Sequence, residues 1–156
     1  MRILLLSHKF YPDVGGIETI TEILSQEFWK AGHEVHVVTW SQDSSGKKFP
    51  FKVIRHPGKL ELIQEHYWAD VTLENNLCLR LAWPKVLFGR PSIVGLQTWI
   101  TREGNSKGWT DYIKLRWLKQ ASRVISCSHS VQKQCWPKSV VIGNPYQETV
   151  FRIVHN

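Results

Sequence analysis

Two adjacent glycines near the amino terminus are the residues best suited to hold a ligand. Gly15 and Gly16 follow an apolar run and directly precede a helical pattern of apolar residues. A glycine pair lets a ligand approach the backbone closely, and a helix start offers free N–H groups and a positive dipole end. The pattern predicts a phosphate or carboxylate site. It is also consistent with a tight strand-to-helix turn, because it is not a G-x-G-x-x-G motif.

Polar side chains that suit sugar hydroxyls and phosphate oxygens follow three other apolar runs. If these runs are parallel strands, the polar residues converge on the carboxyl edge of the sheet, where α/β proteins bind ligands. Each of them could instead satisfy loop backbone or solvent. Glu18, in the first helical turn, is expected to compensate the helix dipole. The polar residues are Asn75 and Asn76, then Gln97, Thr98 and Arg102, and finally Ser128.

The elements that must position these residues alternate between strands and helices. Arg2–Ser7 predicts a buried strand, 17–31 an amphipathic helix stopped by Gly32, and 34–40 the next strand. Such a βαβ unit crosses over right-handed. The prediction is an α/β, doubly wound, mostly parallel sheet of about seven strands with helices on both faces. The other predicted strands are 49–55, 69–73, 92–96, 123–127 and 139–142, with helices at 60–68, 77–88, 109–120 and after 128, and a loop at 74–76.

Composition limits the classes of function. A chain of 156 residues fits one globular domain, and its net charge of +7 favours an anionic partner such as a phosphate ligand or a lipid headgroup. We expect no nucleic-acid binding, because no recognition-helix motif or stacking platform is apparent. The three cysteines suggest neither a disulfide framework nor a zinc site. The sequence shows neither a signal peptide nor a membrane span, so a cytoplasmic location is expected, with a peripheral position at the inner membrane face as the open alternative.

Four segments together resemble a known family. Residues 1–18, MRILLLSHKFYPDVGGIE, with 32–39, GHEVHVVT, look like the amino-terminal opening of family 4 glycosyltransferases of the GT-B fold. Residues 121–128, ASRVISCS, resemble the family's strand before its short serine-capped helix. Residues 140–151, VVIGNPYQETVF, resemble the segment that closes the amino-terminal domain. One departure there is Asn144-Pro145, where the family often has Asn-Gly.

The resemblance implies the amino-terminal half of a retaining sugar transferase. Residues 1–152 would form a Rossmann-like, acceptor-binding domain, and 153–156 would begin a linker or a disordered tail. The carboxyl-terminal domain, which binds the nucleotide-sugar donor in this family, would be missing, so this half is expected to be inactive alone. The resemblance also implies no cofactor and no essential metal. A subunit that borrows its donor domain from another chain is the less favoured arrangement.

The same resemblance assigns roles to individual residues. Gly15 and Gly16 would form the donor diphosphate loop, and Gln97 occupies a catalytic position that is often histidine in the family. Glutamine can hydrogen-bond a sugar hydroxyl but cannot take up a proton at neutral pH, so an orienting role is expected. The expected acceptor-binding residues are Tyr11, Asp13, Asn76, Thr98 and Arg102.

Several alternatives stay open at this level. The chain could instead be a non-catalytic, doubly wound module that binds phosphate or a nucleotide for regulation, because a fold does not fix a function. The basic, aromatic segment 107–123 could contact a membrane surface, or it could simply cover the sheet. A face that normally meets a second domain would be exposed and could cause self-association.

Overall fold

The computed structural model describes residues 1–43, 45–100 and 108–146. Within these residues, seven parallel strands form one sheet with the order β3-β2-β1-β4-β5-β6-β7. The predicted α/β, doubly wound architecture is therefore confirmed, and every strand pair is parallel. The strands are β1 Arg2–Ser7, β2 Glu34–Thr39, β3 Lys52–Arg55, β4 Val71–Asn75, β5 Ser92–Leu96, β6 Arg123–Ser126 and β7 Val140–Val141.

The helices follow the apolar periodicity closely. The first ends two residues before Gly32, which has a φ of 82° and thus takes the left-handed conformation expected of a helix stop. Ser128 caps the last helix by accepting a hydrogen bond from Val131 N at 3.3 Å. The helices are α1 Gly16–Lys30, α2 Lys59–Trp68, α3 Leu79–Ala82 with a 3₁₀ turn at Trp83–Leu87, α4 Trp109–Leu118 and α5 His129–Cys135.

Several predicted boundaries differ from the structure, and three of the differences have a clear physical reason. The third strand begins at Lys52 rather than at 49, since Pro50 cannot donate to a ladder. Pro84 divides the helix predicted at 77–88 into α3 and the 3₁₀ turn. Glu74 and Asn75 were predicted in a loop at 74–76, but they belong to β4 and pair in register with β5. Both polar side chains are buried there because each finds hydrogen-bond partners.

The core has one layer on each face of the sheet. On one face, Leu5, Val35 and Val37 pack against Leu24 and Phe28 of α1. On the other face, the side chains of β1, β2 and β4–β6 meet helices α2–α5, and Leu4, Leu6, Val94, Leu96 and Leu118 are essentially buried. Helices on both faces, as predicted, leave the two ends of the strands as the places where loops gather.

The sheet reverses its direction of winding between β1 and β4. From β1 the chain moves through α1 to β2 on one side, whereas from β4 it moves to β5 on the other side. The loops that leave β1 and β4 therefore separate, and a crevice opens at their carboxyl ends. The predicted domain limit at residue 152 and the tail at 153–156 lie outside the described residues.

Candidate functional site

The crevice is bordered by the carboxyl ends of three adjacent strands. β1 ends at Ser7, β4 at Asn75 and β5 at Leu96, and the first turn of α1 lies above β1. The polar residues that the sequence places after β1, β4 and β5 are therefore brought to one edge of one sheet. Their convergence, which was expected if the strands were parallel, gives the crevice its polar rim.

A line of hydrogen bonds ties these elements together across the floor of the crevice. Gln97 Nε2 donates to Asn75 Oδ1 at 2.9 Å. Asn75 Nδ2 in turn donates to Thr21 Oγ1 at 2.7 Å and to Ile17 O at 3.0 Å, both in α1. The Thr21 hydroxyl lies 3.1 Å from Ser7 Oγ at the end of β1. Asn75 is thus a buried support that links three strands to α1 rather than an open ligand-binding residue.

Gln97 keeps one unused hydrogen-bonding atom. Its Oε1 is buried and has no partner among the described residues, although its amide nitrogen is fixed by Asn75. A buried acceptor without a donor is uncommon, because the lost hydration is not replaced. Gln97 Oε1 is therefore an acceptor beside the crevice that lacks a donor, and the orienting role expected for this position stays a prediction.

The two glycines at the start of α1 are not equivalent. A Cβ on Gly15 would collide with the Glu18 carboxylate, whereas a Cβ on Gly16 would meet nothing within 4 Å. Glu18 is 8% exposed and folds back over the helix start, as expected of a residue that compensates the dipole. A ligand can therefore approach the backbone at Gly16, whereas the Glu18 carboxylate fills the space beside Gly15.

Two of the predicted acceptor-binding residues touch each other. Asn76 Nδ2 donates to Thr98 Oγ1 at 3.2 Å, and Thr98 is exposed. Asn76 has a φ of 67°, and its N–H donates to Gly95 O at 2.7 Å. This pair forms one polar corner of the crevice beside Gln97. Arg102, predicted with them, lies outside the described residues.

Tyr11 and Asp13 face a different wall. Ser41 Oγ donates to Asp13 Oδ2 at 2.5 Å and accepts from Phe10 N at 2.9 Å, so the loop after β1 is fastened to the segment after β2. The Tyr11 ring packs edge-on against Phe49, with centroids 6.0 Å apart. The structure therefore divides the predicted acceptor residues into two groups, one on each side of the α1 start.

The wall beside Tyr11 is basic and aromatic. Lys47 Nζ lies 4.4 Å from the Tyr11 ring centroid and 2.6 Å from Glu22 Oε1 of α1. It borders an open cleft of about 440 Å³, which is lined by Asp43, Lys47, Lys48, Phe49, Phe51, Val53 and Arg55. Rings beside cations suit a polar ligand that carries negative charge.

His8 is a residue of the crevice that the sequence did not single out. It follows β1 directly, and the loss of hydration around its ring lowers its pKa. The positive charge of Arg80 lowers the pKa further, while a hydrogen bond to the Leu77 backbone and the charge of Glu74 oppose the shift. The imidazole is thus neutral at neutral pH, so one ring nitrogen can donate a hydrogen bond and the other can accept one. Its position directly after the first strand was the available signal.

A buried ion pair supports the turn after β4. Glu74 has no solvent exposure, and its Oε1 lies 2.6 Å from Lys85 Nζ. Trp117 Nε1 donates to the same carboxylate at 2.9 Å, and Cys78 N donates to it at 3.1 Å. Burial raises the pKa of the Cys78 thiol, and the nearby charge of Glu74 adds to this effect. Cys78 is therefore a structural residue and not a nucleophile.

The described residues contain neither a metal-binding cluster nor a membrane-spanning helix. In 1–43, 45–100 and 108–146, no group of three or more His, Cys, Asp or Glu side chains is placed to hold a metal ion. No helix in the same ranges has both the length and the apolar character needed to cross a bilayer.

Comparison with known proteins identifies the fold. No protein-family model and no curated protein matches the chain. Among solved structures, Anabaena HepE in complex with UDP and glucose matches with a TM-score of 0.75 at 18% identity, over 99% of this chain and 47% of HepE. HepE in complex with UDP-glucose matches with a TM-score of 0.71, over 99% of this chain and 46% of HepE.

An alpha-glucosyltransferase in complex with UDP and a 13-mer DNA containing an HMU base also matches. Its TM-score is 0.55 at 15% identity, and the match covers 92% of this chain and 41% of that one. The chain therefore spans about half the length of the solved structures it matches. At these identities the likeness establishes the fold, and the Rossmann-like half of a GT-B architecture expected from the motifs is confirmed.

Proposed function

We propose that this chain is the acceptor-binding half of a retaining glycosyltransferase. The enzyme would transfer a sugar from a nucleotide-sugar donor to a glycan, a lipid-linked or a small-molecule acceptor. The observation that carries the proposal is the crevice, where the Gln97 amide is tied through Asn75 to Ile17, the residue next to the open backbone at Gly16. Support comes from the matching structures, since HepE was solved with UDP and UDP-glucose and the alpha-glucosyltransferase with UDP.

Each part of the crevice has a role in this proposal. The N–H groups at the start of α1 would stabilise charge on the donor diphosphate, which reaches the backbone at Gly16. Gln97 Oε1 would accept a hydrogen bond from a hydroxyl of the transferred sugar and so orient it. Asn76 and Thr98 on one side, and Tyr11 and Asp13 on the other, would hold the acceptor, with Arg102 assigned to the same group.

The proposal also requires a second domain. The nucleotide would be held mainly by a donor-binding domain that faces the carboxyl edge of this sheet, so residues 1–152 alone would not transfer sugar. No cofactor and no metal is assigned to the reaction, and a cytoplasmic location is part of the proposal. Closure of the crevice by another domain would also exclude water from the reacting groups.

The decisive experiment measures sugar transfer by the protein made from its complete reading frame. Wild type and Gly16→Val are compared over a panel of nucleotide sugars, and the anomer of the product is read by NMR. A valine at Gly16 has room in the fold but obstructs the approach of a ligand. Misplacement of the donor by even a small distance should reduce transfer by Gly16→Val about 100-fold. The circular dichroism spectrum of the variant should match that of wild type. Wild type should convert an α-linked donor into an α-linked product.

Gly58→Val is the matched control, because Gly58 caps α2 and a Cβ there also meets nothing within 4 Å. It should transfer sugar like wild type. Equal transfer by Gly16→Val and wild type would refute the assignment of the diphosphate loop. Binding of UDP or pyrophosphate without transfer from any donor would instead favour the regulatory phosphate-binding module.

A further inference from the structure

We propose that the outward face of α4 docks on an anionic lipid surface. This outer face of α4 consists of Trp109, Tyr112, Ile113 and Arg116, and Lys119 follows at its end. The proposal goes beyond sugar transfer, because docking would occur whether or not the crevice is catalytic.

The spacing and exposure of the apolar side chains define this face. Positions 109, 112, 113 and 116 recur at helical intervals of three and four residues, so they lie along one side of the helix. Trp109 is 74% exposed, Tyr112 63% and Ile113 45%. Large apolar side chains that are adjacent and exposed to this extent mark an interaction surface more often than an ordinary helix surface.

The packing of α4 on the sheet uses the opposite side. Leu118 is 1% exposed in the core, and Trp117 donates its indole N–H to the buried Glu74. Lys114 Nζ donates to Ile100 O and to Asp111 Oδ1, both at 3.4 Å, so this ammonium group is held within the protein and is not counted as part of the outer face. One side of α4 therefore covers the sheet, while the large side chains on its other side stay exposed.

The charges of the outer face fit a lipid surface. Arg116 and Lys119 are exposed, and neither forms an ion pair with an acidic side chain among the described residues. The one acidic residue of α4, Asp111, is 8% exposed and accepts a hydrogen bond from Gly108 N at 3.2 Å. Indole and phenol rings beside basic side chains suit the boundary between headgroups and acyl chains of anionic membranes.

The position of the helix makes such docking useful. α4 lies between β5 and β6 in the chain and begins on the carboxyl side of the sheet, where β5 ends. Its aromatic end is therefore the end closer to the crevice. A bilayer held there would bring headgroups to the same edge of the sheet that carries Thr98 and Asn76.

Flotation with lipid vesicles tests the proposal on the complete chain. Wild type should float with vesicles of phosphatidylglycerol and phosphatidylcholine, but not with phosphatidylcholine alone, and added salt should release it. Arg116→Gln with Lys119→Gln should weaken binding by about 25-fold, since each basic residue near a charged surface contributes about fivefold. Trp109→Ala with Tyr112→Ala should also lose flotation.

Two controls carry the same chemical changes elsewhere on the surface. Lys59→Gln with Lys138→Gln removes two exposed charges, and Tyr67→Ala removes a ring that is 66% exposed. Both should float like wild type, with circular dichroism confirming the fold of all variants. Absence of wild-type flotation, or equal flotation by the α4 variants, would overturn the proposal. A dimer in solution that Trp109→Ala dissociates would overturn it as well, because the face would then bind a second copy.

Discussion

Gln97, which follows β5, donates its side-chain amide to Asn75 Oδ1 at the end of β4 over 2.9 Å. This single bond holds the candidate sugar-orienting residue to the same asparagine that fastens α1 to the sheet. The geometry of Gln97 is therefore coupled to the position of the α1 start, and so to Gly16. A ligand that contacts both would meet groups whose spacing is already fixed.

Replacing Gln97 by leucine should show how much the hydrogen bond between Gln97 and Asn75 contributes to stability. The change leaves Asn75 Oδ1 buried without its donor, which should lower the free energy of unfolding by about 1–3 kcal/mol. Urea unfolding measures the loss. Thr98→Val is the control, because the bond it removes is exposed, and its effect should stay within about 0.5 kcal/mol. Equal losses for both variants would contradict the buried role of Asn75.

Neutralising Glu18 should have opposite effects on stability and on anion binding. Glu18→Gln removes a negative charge from the α1 start, which should lower the free energy of unfolding by about 0.3–1 kcal/mol. The same change removes repulsion between the carboxylate and an incoming phosphate, so pyrophosphate should bind more tightly. Isothermal titration calorimetry with pyrophosphate reads the affinity. Unchanged or weaker binding in the variant would show that the anion does not bind beside Glu18.

Removing Lys85 should be costly because its partner is buried. Lys85→Met leaves the Glu74 carboxylate without a counter-charge and should lower the free energy of unfolding by about 3–5 kcal/mol. Adding Glu74→Gln should recover part of this loss, because the remaining group is neutral. Lys47→Met breaks an exposed pair with Glu22 and should cost no more than about 1 kcal/mol. Chemical denaturation of the four proteins compares these values, and a cost for Lys85→Met as small as that of Lys47→Met would refute the buried pair.

The Arg2–Asp70 pair should produce a specific acid dependence. Hydrogen bonds from the Arg2 side chain and backbone lower the pKa of Asp70 to about 2. In the unfolded chain an aspartate has a pKa of about 3.9, so the stabilisation is complete above about pH 4 and is lost as the pH falls toward about 2. Asp70→Asn should remove this part of the dependence. Urea midpoints measured across that interval test it, and an identical acid profile in the variant would disprove it.

Local patterns in the sequence determined the elements and much of the fold. The apolar run Arg2–Ser7, the periodicity of α1, the stop at Gly32 and the cap at Ser128 all depend on residues a few positions apart. Such short-range preferences can be recognised without knowing the partner of any residue. The alternation of strands with helical crossovers indicates parallel strands, and the carboxyl ends of parallel strands, with the loops after β1, β4 and β5, lie on one edge of the sheet.

Only the tertiary structure decided how the polar residues of that edge are used. Asn75 was expected in a loop, but its amide meets Thr21, 54 positions away, and it becomes a buried support. Asp13 meets Ser41, 28 positions away, so the predicted acceptor residues separate into two groups. In α4, Trp117 is drawn inward by Glu74, 43 positions away, while Trp109 stays outside. Partners so distant in the chain depend on strand register and helix packing, which one-dimensional patterns do not contain.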